Sequence, residues 1–150
     1  MTCYILRVER MSEATPSSVE RPSIRGVLET VLYFTDQDRA ERFYRDVLGM
    51  RLIDREPGRS LFFRAGESVF LLFRAEESLR SRSLPPHGAT GSVHTCFLVE
   101  ESDYERWKTH LAERGVVIVQ EARWARGLSF YFNDSEGNLL EIADADIWPP

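Results

Sequence analysis

The chain has 150 residues, 43% apolar and 29% charged, with a net charge of −5, an ordinary composition for one domain or for two small half-domains sharing a core. The acidic balance, with its signs interspersed, argues against nucleic acid, whose phosphates need clustered Lys and Arg. No stretch approaches the roughly 18 apolar residues that span a bilayer, no signal peptide opens the chain, and two cysteines, Cys3 and Cys96, fall short of a disulfide framework; the expected location is the cytoplasm.

Residues 1–24 read as a flexible tail, rich in Ser, Glu, Pro and Thr after Met11. Met11-Ser12-Glu13 is an alternative start, and residues 4–8 are an alternative short edge strand. The first ordered element is a strand near 27–34. Asp36 then offers an N-cap, and Ala40, Phe43, Tyr44, Val47 and Leu48 recur at helical spacing before Gly49 closes the helix. Strand-like runs follow at 51–55, 60–64 and 68–74, separated by Glu56-Pro57-Gly58 and Ala65-Gly66-Glu67. A polar connection, 76–91, carries Pro85-Pro86-His87-Gly88; its length permits the halves to pair within one chain or between two chains.

The pattern then runs again. A strand, Val93-His94-Thr95-Cys96-Phe97-Leu98-Val99, precedes a helix that starts at Glu101 or Ser102, carries Tyr104, Trp107 and Leu111, and stops at Gly115. Strands are expected at 116–120, 128–132 and 139–143, and Ile147-Trp148 presents an exposed aromatic near the end of the chain. Glu29 and His94 are the polar intruders in the two opening strands, 65 residues apart. Neither four-stranded unit with one helix covers both faces of its sheet, so two such modules should pack together and curl into a cup.

Strand alternation places Val27, Glu29, Val31 and Tyr33 on one face, and His94, Cys96 and Leu98 on the equivalent face. Glu141, with Leu139 and Ala143, is an acid in an apolar strand, costly to bury unless it is paired or bound to a cation. Two carboxylates and an imidazole in one cup suit a divalent ion with an open position; manganese, iron, nickel, zinc and magnesium all fit such ligands. The competing readings are a hydrogen-bonded core histidine at His94, a water-facing Glu141, and a Glu29 that points outward or pairs with Arg64 or Arg74.

Two segments carry a resemblance: Phe43-Tyr44-Arg45-Asp46-Val47-Leu48-Gly49-Met50 and Phe130-Tyr131-Phe132-Asn133-Asp134-Ser135-Glu136-Gly137-Asn138-Leu139-Leu140-Glu141. The chain resembles the vicinal oxygen chelate superfamily, which includes glyoxalase I, bleomycin-resistance proteins, fosfomycin-resistance enzymes and extradiol dioxygenases. The resemblance implies an α+β fold of two βαβββ modules pairing into a curved mixed sheet that forms a metal-binding cup. Module one is expected over 25–75, module two over 92–146, and a tail over 147–150. Carried over, His94 and Glu141 match module-two ligands, and Glu29 stands in a slot that module one usually fills with His. The fourth slot, used in glyoxalase I, falls near Leu71, where the run 69–73 holds no ligand.

The function expected from this resemblance is a divalent-metal enzyme of glyoxalase-like type acting on a small molecule, with a dioxygenase the weaker reading. Glu29 would be a third ligand or a general base. Tyr33, Arg64, Arg74, Arg126, Ser129 and Tyr131 are candidates to hold the substrate. The alternative is a metal-free binding protein of the bleomycin-resistance type, with Trp107, Trp124 or Trp148 stacking on the ligand. The resemblance also favours a homodimer.

Overall fold

A computed structural model describes residues 24–80, 85–144 and 147–148; residues 1–23 of the expected tail, with its possible strand at 4–8 and Cys3, lie outside them. Module one runs β1 (Glu29–Phe34), α1 (Gln37–Arg42), β2 (Arg51–Glu56), β3 (Ser60–Ala65) and β4 (Ser68–Arg74), and its sheet has the order β1-β4-β3-β2. Module two repeats this plan with β5 (His94–Val99), α3 (Tyr104–Glu113), β6 (Ile118–Arg123), β7 (Leu128–Asn133) and β8 (Leu139–Asp144). Its order is β5-β8-β7-β6. In each sheet the outer pair, β1·β4 or β5·β8, is parallel and the remaining pairs are antiparallel. The fold is the expected α+β pair of βαβββ modules.

The duplication reaches single residues. Glu29 pairs with Val69 and Val31 with Leu71; His94 pairs with Leu139 and Cys96 with Glu141. Leu71 therefore holds in module one the place of Glu141 in module two. Both edge ladders also slip at one residue, Ile53 in β2 and Val119 in β6. Such bulges bend and twist an edge strand, and each leaves its apolar residue exposed.

Local chemistry accounts for the helices. Asp36 caps α1 by accepting from the Arg39 N–H at 3.0 Å, and Ala40, Tyr44 and Leu48 are buried on one stripe. The last turn, Phe43–Val47, widens to π geometry before Gly49 takes φ +67°, a region costly for any other residue. In module two Val116 N–H reaches back to the Leu111 carbonyl at 3.0 Å, a six-residue closure of the helix end. That closure moves β6 to Ile118–Arg123 rather than 116–120. The expected linker also contains a short helix, α2 (Ala75–Leu79), whose Ala-Glu-Glu-Ser-Leu sequence puts two acids in the first turn.

The modules share a core. Leu32, Phe34, Phe63, Phe70 and Leu72 on one side, and Phe130, Phe132, Leu140 and Ile142 on the other, are all at most 3% exposed. Phe70 meets Phe97 across the boundary at 5.4 Å between ring centroids. His110 Nε2 donates to the Val47 carbonyl at 2.7 Å, joining the two helical layers. Among the described residues no helix is long and apolar enough to cross a membrane.

Candidate metal centre

The segment between β7 and β8 fastens one module to the other. The buried Asp134 carboxylate accepts from Tyr44 Oη at 2.6 Å, and from the backbone N–H groups of Glu136 and Asn138 and from Asn138 Nδ2, each at 2.8 Å. Asn138 Nδ2 also reaches the Tyr33 carbonyl at 3.3 Å. Glu136 accepts from Thr35 N–H and Oγ1–H and from Arg39 Nε at 2.6–2.9 Å. Burial acts to raise the Glu136 carboxyl, but these donors outweigh it and hold the group below its ordinary value. The motif read from the sequence as a tight turn is thus also the clamp that sets β8, and with it Glu141, against module one.

On the open face of module two, alternation along β5 aligns His94, Cys96 and Leu98, all exposed. Glu141 on β8 lies beside Cys96 and, through the next ladder, beside Tyr131. His94 Nδ1 lies 3.1 Å from the Leu139 carbonyl. A carbonyl only accepts, so Nδ1 carries a proton, and in the neutral tautomer the Nε2 lone pair is free. That lone pair faces Glu141 Oε2 at 3.3 Å. Glu141 is 5% exposed, and its Oε1 has no hydrogen-bond partner among the described residues.

In that tautomer two acceptors face each other beside a buried carboxylate oxygen without a partner, an arrangement satisfied by a proton on Nε2 or by a bound cation. The donor set, an imidazole oriented by a backbone carbonyl and a buried carboxylate, suits a divalent ion. His94 and Glu141 therefore fit a metal. Cys96 is a weaker candidate, because burial and then the neighbouring Glu141 charge push its thiol up to about 12. Burial foremost also raises the Tyr131 hydroxyl.

Glu29 is not part of this pair. It is exposed on β1 and lines a groove of about 730 Å³ with Arg64, Cys96 and Leu98. Among the described residues of one chain, no three His, Cys, Asp or Glu side chains stand close enough to hold an ion. The three expected ligands are not assembled by one copy as it stands.

The expected substrate contacts divide. Tyr33, Arg64, Ser129 and Tyr131 fall on the open faces by strand parity. Arg74 does not: its parity is that of Phe70 and Leu72, its guanidinium lies 5.6 Å over the Phe34 ring, and Nε donates to the Gly58 carbonyl. It is a structural residue of the helix side. Arg126 sits in the exposed β6–β7 connection, away from the pair, beside Arg123, Trp124 and Asp144. Ser129 is fully buried and accepts from Trp124 Nε1 at 2.8 Å, a contact for which the sequence carried no signal. Trp107 is half-buried against the core, and Trp148 is 76% exposed.

Residues 26–142 match the model of the Glyoxalase/Bleomycin resistance protein/Dioxygenase superfamily. The chain belongs to that superfamily. A solved structure of lactoylglutathione lyase from Agrobacterium tumefaciens is similar at 34% identity and a TM-score of 0.82, covering 86% of this chain and all of that one. Metallothiol transferase FosB from Staphylococcus haemolyticus is 29% identical over 121 residues, 79% of this chain and 83% of the relative. Glutathione transferase FosA from Serratia marcescens is 26% identical over 119 residues, 79% and 80% of the two chains. In this superfamily member the matched region takes in Glu29, His94 and Glu141.

Proposed function

We propose that the protein is a divalent-metal-dependent enzyme acting on a small molecule that presents two neighbouring oxygens, and that it works as a homodimer. The observation that carries this reading is the His94–Glu141 pair, with Nε2 turned toward Oε2 and Oε1 without a hydrogen-bond partner among the described residues. The ion, when bound, would supply Lewis-acid stabilisation of an enolate or other oxyanion. His94 and Glu141 hold it from one copy, and Glu29 comes from module one of a second copy. Exposed apolar residues beside the open strands, Val27 at 73%, Leu28 at 74% and Leu98 at 73%, support a covered, two-fold interface there.

In this arrangement Glu29 either completes the ligand set or takes a proton from carbon beside a substrate carbonyl. Tyr131 and Arg64, on the open faces, orient the substrate. Ser129 acts at one remove, by fixing Trp124. The relatives named above are a lactoylglutathione lyase, a metallothiol transferase and a glutathione transferase, so glutathione-derived substrates are the first to assay.

The rival reading is a metal-free small-molecule binder, favoured by the lack of a three-ligand cluster among the described residues of one copy. Metal content after chelator-free purification separates the two. A stoichiometric divalent ion, lost in His94→Ala and in Glu141→Ala, supports the enzyme. A metal-free protein whose ligand binding is indifferent to both substitutions supports the binder.

A further inference from the structure

Module one carries, on the face opposite its helix, four rings that the reading above leaves without a task. Phe62 on β3 and Phe73 on β4 meet edge to face at 5.6 Å between centroids, and the His87 ring stands edge-on to Phe73 at 5.0 Å. The Tyr33 hydroxyl and His87 Nδ1 share a hydrogen bond of 3.0 Å. Tyr33 and Phe73 are register partners on parallel strands, so their side chains must share a face. The loop that brings His87 is seated as well: a Cβ at Gly88 would come within 2.8 Å of Leu79 Cγ. Pro85 and Pro86 stiffen its approach.

Comparison of the modules shows what this wall replaces. Phe62 lies beside Leu71 as Tyr131 lies beside Glu141. Module one thus carries Phe62, Leu71 and Phe73 where module two carries Tyr131, Glu141 and Ala143, an apolar surface in place of one with a carboxylate. Tyr33 shares β1 and its open face with Glu29, roughly 13 Å along the strand at about 3.3 Å per residue.

We propose that Tyr33, Phe62, Phe73 and His87 bind the far end of the substrate, and that this end is a flat, unsaturated group carrying a hydrogen-bond acceptor. This rests on the chelating cup proposed above, since Glu29 fixes the other end. The rings offer faces and edges for stacking. In the tautomer where the Tyr33 hydroxyl donates to Nδ1, His87 carries its proton on Nε2, which no described residue engages. That N–H meets the acceptor. An apolar group without an acceptor binds here less well.

Calorimetry on the zinc-loaded full-length protein tests the assignment with three chelators. Acetohydroxamate probes the ion alone, benzohydroxamate adds a ring, and 4-acetylbenzohydroxamate adds an acceptor at the far end. The ring is expected to tighten binding about tenfold, and the acceptor severalfold more. Phe73→Leu should remove the gain from the ring, and His87→Ala only the gain from the acceptor, with acetohydroxamate binding unchanged in both. Equal affinities for the three compounds, or gains that survive both substitutions, overturn the wall while the metal centre stands. If acetohydroxamate itself does not bind, the chelating reading falls, and titration of metal-free protein with acetophenone decides the wall. Movement of the His87 ring resonances keeps it, and unmoved resonances remove it.

Discussion

Tyr44 Oη and Asp134 Oδ2 are 2.6 Å apart and belong to different modules. Each comes from one of the two segments that carry the family resemblance, so those segments meet in space although 90 residues separate the partners. The bond is buried, and Asp134 adds three donors of its own module, which makes it the hub through which β8 is positioned.

Removal of the hydroxyl in Tyr44→Phe leaves Asp134 with three donors. It should cost about 2 kcal/mol, the value of a buried hydrogen bond to a charged group. Asp134→Ala strands Tyr44 Oη and Asn138 Nδ2 together and should cost about 3 kcal/mol or more. Urea unfolding measures both, and the double variant should fall short of the sum because the two residues share one network. Additive losses would mean that the modules are not coupled through this bond.

Glu136 makes the same junction sensitive to acid. Its folded value is held below the ordinary 4.5, so the unfolded chain binds the proton more readily. The stability it contributes is fully present above about pH 4.5 and is lost as pH falls through the lower folded value. Glu136→Gln should lower stability at pH 7 and flatten the decline that sets in as pH falls below about 4.5, as read from denaturant midpoints on the acid side. An unchanged acid profile would assign the decline to other carboxylates.

Much of this was legible in the residues. The alternation around Glu29 and His94, the Asp36 cap, and the Gly49 and Gly115 stops are local chemistry, and local chemistry is what a sequence displays. The register of Leu71 with Glu141 also follows, because a duplication keeps its ladder. The failures are of another kind. Arg74 looked free to bind because nothing in the chain shows that Phe34 and the Gly58 carbonyl come to meet it. The late start of β6 depended on a helix end that borrows Val116. The clamping role of Glu136 and the seating of His87 on Tyr33 are contacts between residues 101 and 54 positions apart. Such pairings exist only once the modules have packed.

Module one already contains the control for the metal centre. Its equivalent of Glu141 is Leu71, a buried apolar residue in the same register. Without an ion, the orphaned Glu141 oxygen is a cost of about 1–3 kcal/mol. Glu141→Leu should therefore leave metal-free protein as stable as wild type or raise its melting temperature. It should also abolish the stabilisation that added zinc or manganese gives the wild type through binding to the folded state alone. Thermal melts with and without metal read both effects. A variant that is destabilised and still gains from metal would contradict the assignment of Glu141 as a ligand.

The origin of Glu29 in each site can be decided by mixing subunits. If Glu29 of one copy serves His94 and Glu141 of the other, Glu29→Ala and His94→Ala each remove every tight metal site from their homodimers. A mixed dimer, however, keeps one intact site, formed by the wild-type Glu29 of one subunit and the wild-type His94 and Glu141 of its partner. Unfolding and refolding an equal mixture gives about half mixed dimers, each with one of two sites intact, so about one quarter of the wild-type stoichiometry should return. If Glu29 instead serves the His94 of its own chain, every site in the mixed dimer lacks one ligand and nothing returns. Metal titration monitored by calorimetry distinguishes a quarter from zero. Size-exclusion chromatography with light scattering, run on the same samples, establishes that dimers have formed. A monomeric protein with full metal stoichiometry would place Glu29 in its own chain's site and require the two modules to close upon each other.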